Sequence, residues 1–235
     1  MSEIDRLLTP DNVIIYFDFD NTITDFDVLD SVIAKFATGT AWQEAEKRWE
    51  LGSIGARDCL DVQMRSLRTT PKALADFLAP IKLDPAFSNI LKWLRMTGIE
   101  HGILSDNFSP IIEEILTNNQ IEDVPVFANS MRFQSNSTIP SFPYYNEDCP
   151  RCAHCKKVHL LERPDAYIIY VGDGRSDICP AQIADRVYAR SFLLTYLTEL
   201  GQTPISFNTL SDVLSDLRKW WITKKDPAGY SELLA

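Results

Sequence analysis

The sequence has no long apolar run and no excess of positive charge. None of its apolar stretches approaches the ~18 residues that a membrane-spanning helix needs, which excludes a transmembrane protein. Lysine and arginine total 23 against 33 aspartate and glutamate residues, a formal net charge of −10. A field of that sign repels nucleic acid and anionic membranes, so we expect neither as a partner. An anionic small molecule would need local positive groups or a bound cation.

A secretion signal and a disulfide framework are also missing. The first twelve residues, MSEIDRLLTPDN, carry acids and lack an apolar centre. The five cysteines are an odd number, which favours free thiols in a reducing cytoplasm, where we expect the protein to be. At 235 residues, 45% of them hydrophobic, the chain suits one large domain or a domain with an insertion. Nothing in the sequence indicates an oligomeric state.

Short β-branched runs alternate with helical patterns along most of the chain. This order predicts an α/β fold, a Rossmann-like three-layer core in which a mainly parallel sheet lies between helices. The predicted strands are residues 13–18, 102–105, 126–133, 167–171 and, more weakly, 186–189. Asp84 and Ser109 each precede a proline, as a helix N-cap does. Residues 210–221 have the apolar spacing of a packed outer helix.

One region breaks the alternation because it offers helical patterns alone. These cover residues 28–36, 42–49, 54–67 and 71–78. We therefore predict a helical cap subdomain over residues 26–83, inserted into a core made of residues 1–25 and 84–235. Residues 135–151, rich in Ser, Asn and Pro, are predicted to form a loop that leads into a cysteine cluster.

The first strand ends in two carboxylates, Asp18 and Asp20. Residues i and i+2 of a strand point to the same side, and open α/β sheets bind ligands at the carboxyl ends of their strands. Two carboxylates so close repel each other, which a hard divalent cation such as Mg²⁺ would relieve. A calcium loop is disfavoured, because the positions that require Gly and Glu hold Ile23 and Leu29.

Three further groups follow predicted strands or lie near them. Asp173 and Asp177 stand in a glycine-rich turn after one strand, where taken alone they would suit helix capping. Ser105 places a hydroxyl at the end of another strand, suited to a phosphate oxygen. Lys156 supplies a cation, although a lone lysine is more often a solvated surface charge.

In order, Asp-x-Asp-x-Thr, a strand-end Ser, a Lys and Gly-Asp-x-x-x-Asp resemble the four motifs of the haloacid-dehalogenase superfamily of phosphohydrolases. The helical insertion between the first two motifs resembles the phosphoserine-phosphatase-like subfamily. Cys-Lys at the third motif and VGDGRSDICPA at the fourth are similar to two groups within it. One group is the 2-hydroxy-3-keto-5-methylthiopentenyl-1-phosphate phosphatases of methionine salvage, and the other is the phosphoethanolamine/phosphocholine phosphatases. The motifs do not choose between them.

The resemblance implies a Mg²⁺-dependent phosphomonoesterase that acts on a small phosphorylated metabolite. Asp18 would be the nucleophile that becomes an aspartyl-phosphate, and Asp20 the general acid and then the general base. One Mg²⁺ per active site would be held by Asp18, the backbone carbonyl of Asp20, and Asp173.

The resemblance also implies roles for the remaining motif residues. Thr22, Ser105 and Lys156 would bind the phosphate oxygens, and Asp177 would orient Lys156 or a metal-bound water. The helical cap would close over the site and expel bulk water. Methionine-salvage enol phosphate, phosphoethanolamine or phosphocholine, and phosphoserine are the candidate substrates.

Two other functions compete with this one. A non-catalytic phosphate-binding protein or phosphoacceptor, similar to a receiver domain, would need neither Asp20 nor the cap. A related phosphotransferase or dehalogenase is the other alternative, but a dehalogenase lacks the second carboxylate of the first motif.

Two features concern specificity and a second metal. Asp27 stands where phosphoserine phosphatases carry a glutamate for the substrate amine, and Asp106 where the phosphoethanolamine/phosphocholine relatives contact an ammonium; each residue would otherwise cap a helix. Cys149, Cys152 and Cys155 have a spacing that would suit a structural Zn²⁺, with His154, His159 or Cys179 as fourth ligand. Reduced thiols or a redox-labile pair are favoured over zinc.

Overall fold

A computed structural model describes residues 9–149 and 151–225 of the chain. Seven strands form one sheet in the order β4-β3-β2-β1-β5-β6-β7, in which only the β3–β4 pair is antiparallel. Their bounds are β1 Val13–Phe17, β2 Glu100–Phe108, β3 Val126–Gln134, β4 Ser137–Ser141, β5 Tyr167–Gly172, β6 Arg186–Ala189 and β7 Ile205–Ser206. The predicted α/β class and mainly parallel sheet are confirmed.

The sheet has helices on both faces because the central strands are apolar on both. All of β1 and β5 is buried, and successive β1 side chains alternate between two apolar clusters. The core helices are α5 Pro85–Thr97, α6 Ser109–Asn118, α7 Lys156–Leu161, α8 Ile178–Ala181, α9 Ser191–Glu199 and α10 Leu210–Lys225. Buried residues of α5, α6 and α10 cover one face, and those of α7, α8 and α9 cover the other. This is the predicted three-layer core.

Four helices lie between β1 and α5, as the sequence predicts. They are α1 Val28–Phe36, α2 Ala41–Glu50, α3 Ala56–Ser66 and α4 Pro71–Leu78. The assignment of residues 26–83 to a cap and of the rest to the core stays a prediction, and residues 1–8 and 226–235 lie outside the described residues. Within the described ranges, no helix combines the length and apolarity that crossing a membrane requires.

Three local predictions were tested by the helix and strand ends. Asp84 does cap α5, since its side chain accepts a hydrogen bond from the backbone N–H of Ala86 at 2.8 Å. Ser109 does not cap α6: it is the first helical residue, and Phe108 stands at the cap position. The loop predicted over residues 135–151 is wrong for β4, which pairs with β3. Its Ser, Thr and Pro residues gave no strand signal, yet Thr138 and Pro140 are buried on one face.

Candidate active site

The carboxyl ends of neighbouring strands bring the motif residues together. Asp18 follows β1, Asp173 follows β5, and Ser105 lies in β2 on the other side of β1. A cavity of about 210 Å³ opens at this edge of the sheet. Its lining includes Asp18, Asp20, Asn21, Ser105, Asp106, Asn107, Asp173, Gly174, Arg175 and Ser176 from the core, and Asp27, Leu29, Asp30, Glu46, Trp49, Ala56, Cys59, Leu60 and Gln63 from the predicted cap.

Asp18 is buried at the base of this cavity. Its Oδ1 accepts a hydrogen bond from the backbone N–H of Phe19 at 2.7 Å and lies 2.8 Å from Nζ of Lys156. Burial and the nearby carboxylate of Asp177 raise the pKa of Asp18 well above its usual value, although Lys156 opposes that rise. Both of these bonds engage Oδ1, so Oδ2 is the oxygen available to a substrate.

Lys156 is wholly buried between two carboxylates. Its Nζ lies 2.6 Å from Oδ1 of Asp177, which also accepts a hydrogen bond from the Tyr170 hydroxyl at 2.6 Å. Oδ2 of Asp177 accepts from the backbone N–H groups of Asp173 and Gly174, both at 2.9 Å. Burial lowers the pKa of Lys156, but Asp177 and Asp18 outweigh it and hold that pKa above its ordinary value. The contacts therefore agree with Asp177 as the residue that orients Lys156.

Asp20 occupies a different environment from Asp18. It accepts hydrogen bonds from the backbone N–H of Val28 and from Nδ2 of Asn107, both at 2.8 Å. Burial raises the pKa of Asp20 to about 6, and these hydrogen bonds limit the rise. A carboxyl group with that pKa can both give and take a proton near neutral pH. Nothing in the sequence pointed to Asn107 except its place two residues after Ser105.

Ser105 faces the cavity, whereas Thr22 is buried behind it. Ser105 lines it, and its hydroxyl oxygen accepts a hydrogen bond from the backbone N–H of Asn107 at 3.1 Å. Thr22 is buried and does not line the cavity; its hydroxyl donates to Oδ1 of Asp173 at 3.2 Å. These contacts would let Thr22 position Asp173, and its contact with phosphate stays a prediction.

The acidic groups present a donor set that suits a hard cation. Oxygens of Asp18, Asp173 and Asp177 lie within 4.8 Å of one another. Burial, followed by the charge of Asp177, raises the pKa of Asp173 to about 7. Because Asp177 is already saturated by four hydrogen bonds, Asp18 and Asp173 are the carboxylates left to face an ion. Carboxylate oxygens are preferred ligands of Mg²⁺, so these residues fit that cation.

The two predicted specificity residues both line the cavity, and each also has a partner. Asp27 caps α1 by accepting from the backbone N–H of Asp30 at 2.8 Å, as the alternative interpretation predicts. Burial, then the charges of Asp20 and Asp30, raises the pKa of Asp27 to about 8. Asp106 does not cap the following helix: its Oδ1 accepts from the backbone N–H of His154 at 2.9 Å. Burial raises its pKa to about 6.

The cysteines of the predicted zinc cluster precede α7 as free thiols. Cys152 and Cys155 are buried, and burial, then the charges of Asp106 and Cys179, raises the pKa of the Cys152 thiol. Among the described residues, however, only Asp18, Asp173 and Asp177 bring three ligand atoms within 4.8 Å of one another. The zinc hypothesis stays a prediction, which metal analysis of protein purified without added zinc would test.

Arg190 is a second residue that the sequence gave no reason to select. Its guanidinium donates to the backbone oxygen of Asn21, with Nε at 2.7 Å, and also to that of Asn208. Asn21 has a positive φ of 52°, in the left-handed region that asparagine adopts more readily than most residues, and Arg190 holds this turn between Asp20 and Thr22. The signal was missed because the two residues are 169 positions apart.

Sequence comparison decides the family of a chain with this site. A sequence model of the family described as "Putative Phosphatase" matches residues 13–194, which is more than half of the chain. The chain belongs to this phosphatase family. It is therefore an enzyme, and the predicted phosphatase class is confirmed. A non-catalytic receiver-type protein does not fit that membership.

Individual relatives agree with the family. The 2-hydroxy-3-keto-5-methylthiopentenyl-1-phosphate phosphatase of Brevibacillus brevis is 28% identical over 214 residues, which cover 88% of this chain and 96% of the relative. Phosphoserine phosphatase from T. onnurineus has a similar fold, with a TM-score of 0.63 at 16% identity over 91% of this chain and 97% of that one.

A further solved structure is the phospho-aspartyl intermediate analogue of a phosphoserine phosphatase. Its TM-score is 0.62 at 19% identity, over 87% of this chain and 98% of that one. The predicted resemblance is confirmed in sequence for the phosphatase family and the 2-hydroxy-3-keto-5-methylthiopentenyl-1-phosphate phosphatases, and in fold for the phosphoserine phosphatases.

Proposed function

We propose that the chain is a Mg²⁺-dependent phosphomonoesterase that hydrolyses a small, singly phosphorylated metabolite through an aspartyl-phosphate on Asp18. The observation that carries this proposal is the contrast between two carboxylates on one cavity. Asp18 keeps one oxygen bonded to Phe19 and Lys156 and the other available, whereas Asp20 has a pKa of about 6. Asp18 is therefore suited to nucleophilic attack, and Asp20 to proton transfer.

In the first half-reaction Oδ2 of Asp18 attacks phosphorus and forms an acyl phosphate. The bond from phosphorus to the ester oxygen breaks, and Asp20 gives its proton to that leaving oxygen. In the second half-reaction Asp20 takes a proton from a water, whose oxygen attacks phosphorus. The bond between phosphorus and the Asp18 oxygen then breaks, which releases inorganic phosphate and restores the Asp18 carboxylate and the protonated form of Asp20. Asn107 and the N–H of Val28 hold Asp20 in place for both transfers.

The phosphoryl oxygens need positive groups and donors in a cavity that is mostly acidic. Ser105 and Lys156 are the phosphate-binding residues in this proposal. Asp18, Asp173 and the backbone carbonyl of Asp20 would hold Mg²⁺, and Thr22 would keep Asp173 in position through its hydroxyl. When bound, the ion supplies the positive charge that offsets repulsion between a carboxylate and a phosphate dianion.

The remaining cavity residues determine which groups the substrate can carry besides its phosphate. Asp27, Asp30, Glu46 and Asp106 also line the cavity, and Arg175 is the one basic residue in the lining that the structure describes. Arg175 lies over the ring of Phe192, 4.5 Å from its centre. A second anionic group would meet uncompensated carboxylates there, so we propose a polar, non-anionic tail. The methylthiopentenyl enol phosphate named for the relatives and phosphoethanolamine both meet that description.

The covalent mechanism is tested by Asp18→Asn, because the amide is nearly isosteric but a poor nucleophile. We expect less than a few percent of the wild-type kcat with p-nitrophenyl phosphate and Mg²⁺, with the fold intact. The matched control is Asp25→Asn, an exposed carboxylate seven residues along the chain, which should retain full activity. Retained turnover in Asp18→Asn would show the nucleophile to be another group, and full activity in excess chelator would refute the Mg²⁺ requirement.

Substrate charge is tested separately with three compounds. We expect kcat/KM to be higher for phosphoethanolamine or an enol phosphate analogue than for fructose bisphosphate. Asp106→Ala should narrow that difference, and above pH 8, where Asp27 is charged, Asp27→Asn, which retains a helix-capping side chain, should narrow it too. A preference for the bisphosphate, or a ranking that both variants leave untouched, would refute the electrostatic account without affecting the phosphatase assignment.

A further inference from the structure

His154 joins two parts of the phosphate site that are far apart in the sequence. It lies on the loop before α7, two residues before Lys156, and is wholly buried. Its ring Nδ1 is 2.9 Å from the backbone oxygen of Ser105, and its backbone N–H donates to Asp106. Its own carbonyl oxygen accepts from the backbone N–H of Lys156 at 2.9 Å. The end of β2 and the start of α7 are thus connected through one residue.

The chemistry of these contacts determines where the ring protons are. A backbone carbonyl oxygen can only accept, so Nδ1 of His154 must carry a proton. Burial lowers the pKa of His154 to about 3, which keeps the ring neutral and leaves Nε2 as an acceptor. Nε2 of His159 lies 2.7 Å away, so His159 must donate from that nitrogen. His159 therefore selects the tautomer of His154 that can hold the Ser105 carbonyl.

Aromatic packing keeps the pair rigid. Tyr144 stacks on the ring of His154 with centroids 4.7 Å apart, and the ring of Phe127 lies 4.8 Å from that of His159. The backbone oxygen of Tyr144 also accepts from the N–H of Cys155, beside Lys156. The rings can neither rotate nor exchange partners without disturbing the segment that carries Lys156.

We infer that His154, with His159 setting its tautomer, is a positioning residue that fixes the separation between Ser105 and Lys156, the two groups that hold the transferring phosphate. The inference rests on the proposed function for the roles of those two groups. A shift in their separation of a fraction of an ångström would leave ground-state binding almost intact but misalign the phosphoryl group for in-line attack. It should therefore lower kcat more than it raises KM.

Conservative variants distinguish the hydrogen bond from simple packing. The amide nitrogen of Asn can replace Nδ1 of histidine, whereas that of Gln replaces Nε2. With p-nitrophenyl phosphate and Mg²⁺, we expect His154→Asn to stay within about threefold of the wild-type kcat and His154→Gln to lose about tenfold, with KM nearly unchanged in both. At the partner position, His159→Gln should preserve kcat and His159→Phe should lower it severalfold.

The matched control is His101, which lies in β2 itself and directs Nδ1 to the backbone oxygen of Ile99 at 3.1 Å. His101→Asn should leave kcat and KM unchanged. The inference is overturned if His154→Gln is as active as His154→Asn, or if kcat and KM change in proportion. The activity of Asp18→Asn tests the proposed function independently. A failure of the proposed function can therefore be distinguished from a failure of the inference about His154.

The protonation of the histidine rings can also be measured directly on the wild-type protein, so this test does not depend on the folding of a variant. The chain has three histidines, so ¹⁵N-histidine NMR of the Mg²⁺-loaded protein gives three assignable rings. We expect His154 with its proton on Nδ1 and His159 with its proton on Nε2, both protected from exchange with solvent. A His154 ring that carries its proton on Nε2 would overturn the inference.

Discussion

At the residue scale, the unusual feature is the number of charges that the site holds away from water. Lys156, Asp18 and Asp177 are all buried, and each would be costly alone. Asp177 accepts hydrogen bonds from Tyr170 and from two backbone N–H groups. These bonds and the charge of Lys156 outweigh burial and hold the pKa of Asp177 below its usual range. These buried charges are tolerated because almost every polar atom of the three side chains has a hydrogen-bond or ion-pair partner.

The adjacent lysines provide a prediction at this scale. Lys156→Ala leaves Asp18 and Asp177 buried without their cation, so we expect kcat/KM to fall by at least ~100-fold and the free energy of unfolding by ~3 kcal/mol. Lys157→Ala is the control, because Lys157 is half-buried and is not in this network. Steady-state kinetics and denaturant unfolding measure the two effects. A larger loss for Lys157 would mean that the phosphate-binding lysine has been assigned one residue too early.

At the scale of elements, the β3–β4 hairpin connects the sheet to the predicted cap. The Thr138 hydroxyl donates to the backbone oxygen of Met64 in α3 at 2.5 Å. The backbone N–H of Thr69 donates to the oxygen of Asn136, and that of Ala56 to Arg151, at 2.9 and 3.0 Å. Helix α3, which contributes Ala56, Cys59, Leu60 and Gln63 to the cavity lining, is thus attached at this hairpin and at the loop that carries Arg151.

Removing one of these attachments should weaken the fold without touching the chemistry. Thr138→Val keeps the shape of the side chain and its preference for a strand but loses the hydroxyl. We expect the free energy of unfolding to fall by about 1 kcal/mol, while kcat changes less than twofold. Ser141→Ala, at an exposed position of the same strand, should change neither. A large loss of kcat in Thr138→Val would show that the hairpin also governs the catalytic geometry.

At the scale of the whole molecule, the acidic residues of the cavity are part of a formal net charge of −10. Asp27 and Asp173 have raised pKa values, about 8 and 7, because burial disfavours their charged forms. Raised carboxyl pKa values mean that the folded chain binds more protons than the unfolded chain at neutral pH. The metal-free protein is therefore stabilised as pH falls through these values.

This linkage predicts the pH dependence of stability in chelator. Between pH 8 and pH 7, protonation of Asp27 should add about 1 kcal/mol to the free energy of unfolding. The three histidines have lowered pKa values and act in the opposite direction below about pH 7, so the window ends there. Asp27→Asn should remove most of the slope, because its side chain does not titrate. Equal slopes in the two proteins would contradict the burial of Asp27.

Mg²⁺ should reverse this trend, because the ion competes with protons for Asp18 and Asp173. The increase in Tm on adding Mg²⁺ should be larger at pH 8 than at pH 7. Asp173→Asn should remove most of the increase at either pH. An increase that is independent of pH, or that survives in Asp173→Asn, would place the ion elsewhere.

Much of the architecture follows from the amino-acid sequence alone. Apolar patterns identified five of the seven strands and all four helices before α5. The central strands were readable because burial on both sides of a parallel sheet leaves continuous apolar runs. The order of the motifs then identified the phosphatase family. Asp18, Asp173 and Ser105 were predicted to meet because parallel strands end at one edge, and Lys156 was added to them by its resemblance to the third motif.

The tertiary structure alone decided the contacts between those motifs. That Thr22 holds Asp173, that Asn107 holds Asp20, and that His154 connects Ser105 to Lys156 depend on side chains up to 151 residues apart. Hydrogen bonds of that kind leave no periodic signal, because each depends on the orientation of one donor towards one acceptor. The edge strand β4 was hidden for the same reason: its pairing with β3 and its packing against α3 stabilise a segment whose own residues favour a loop.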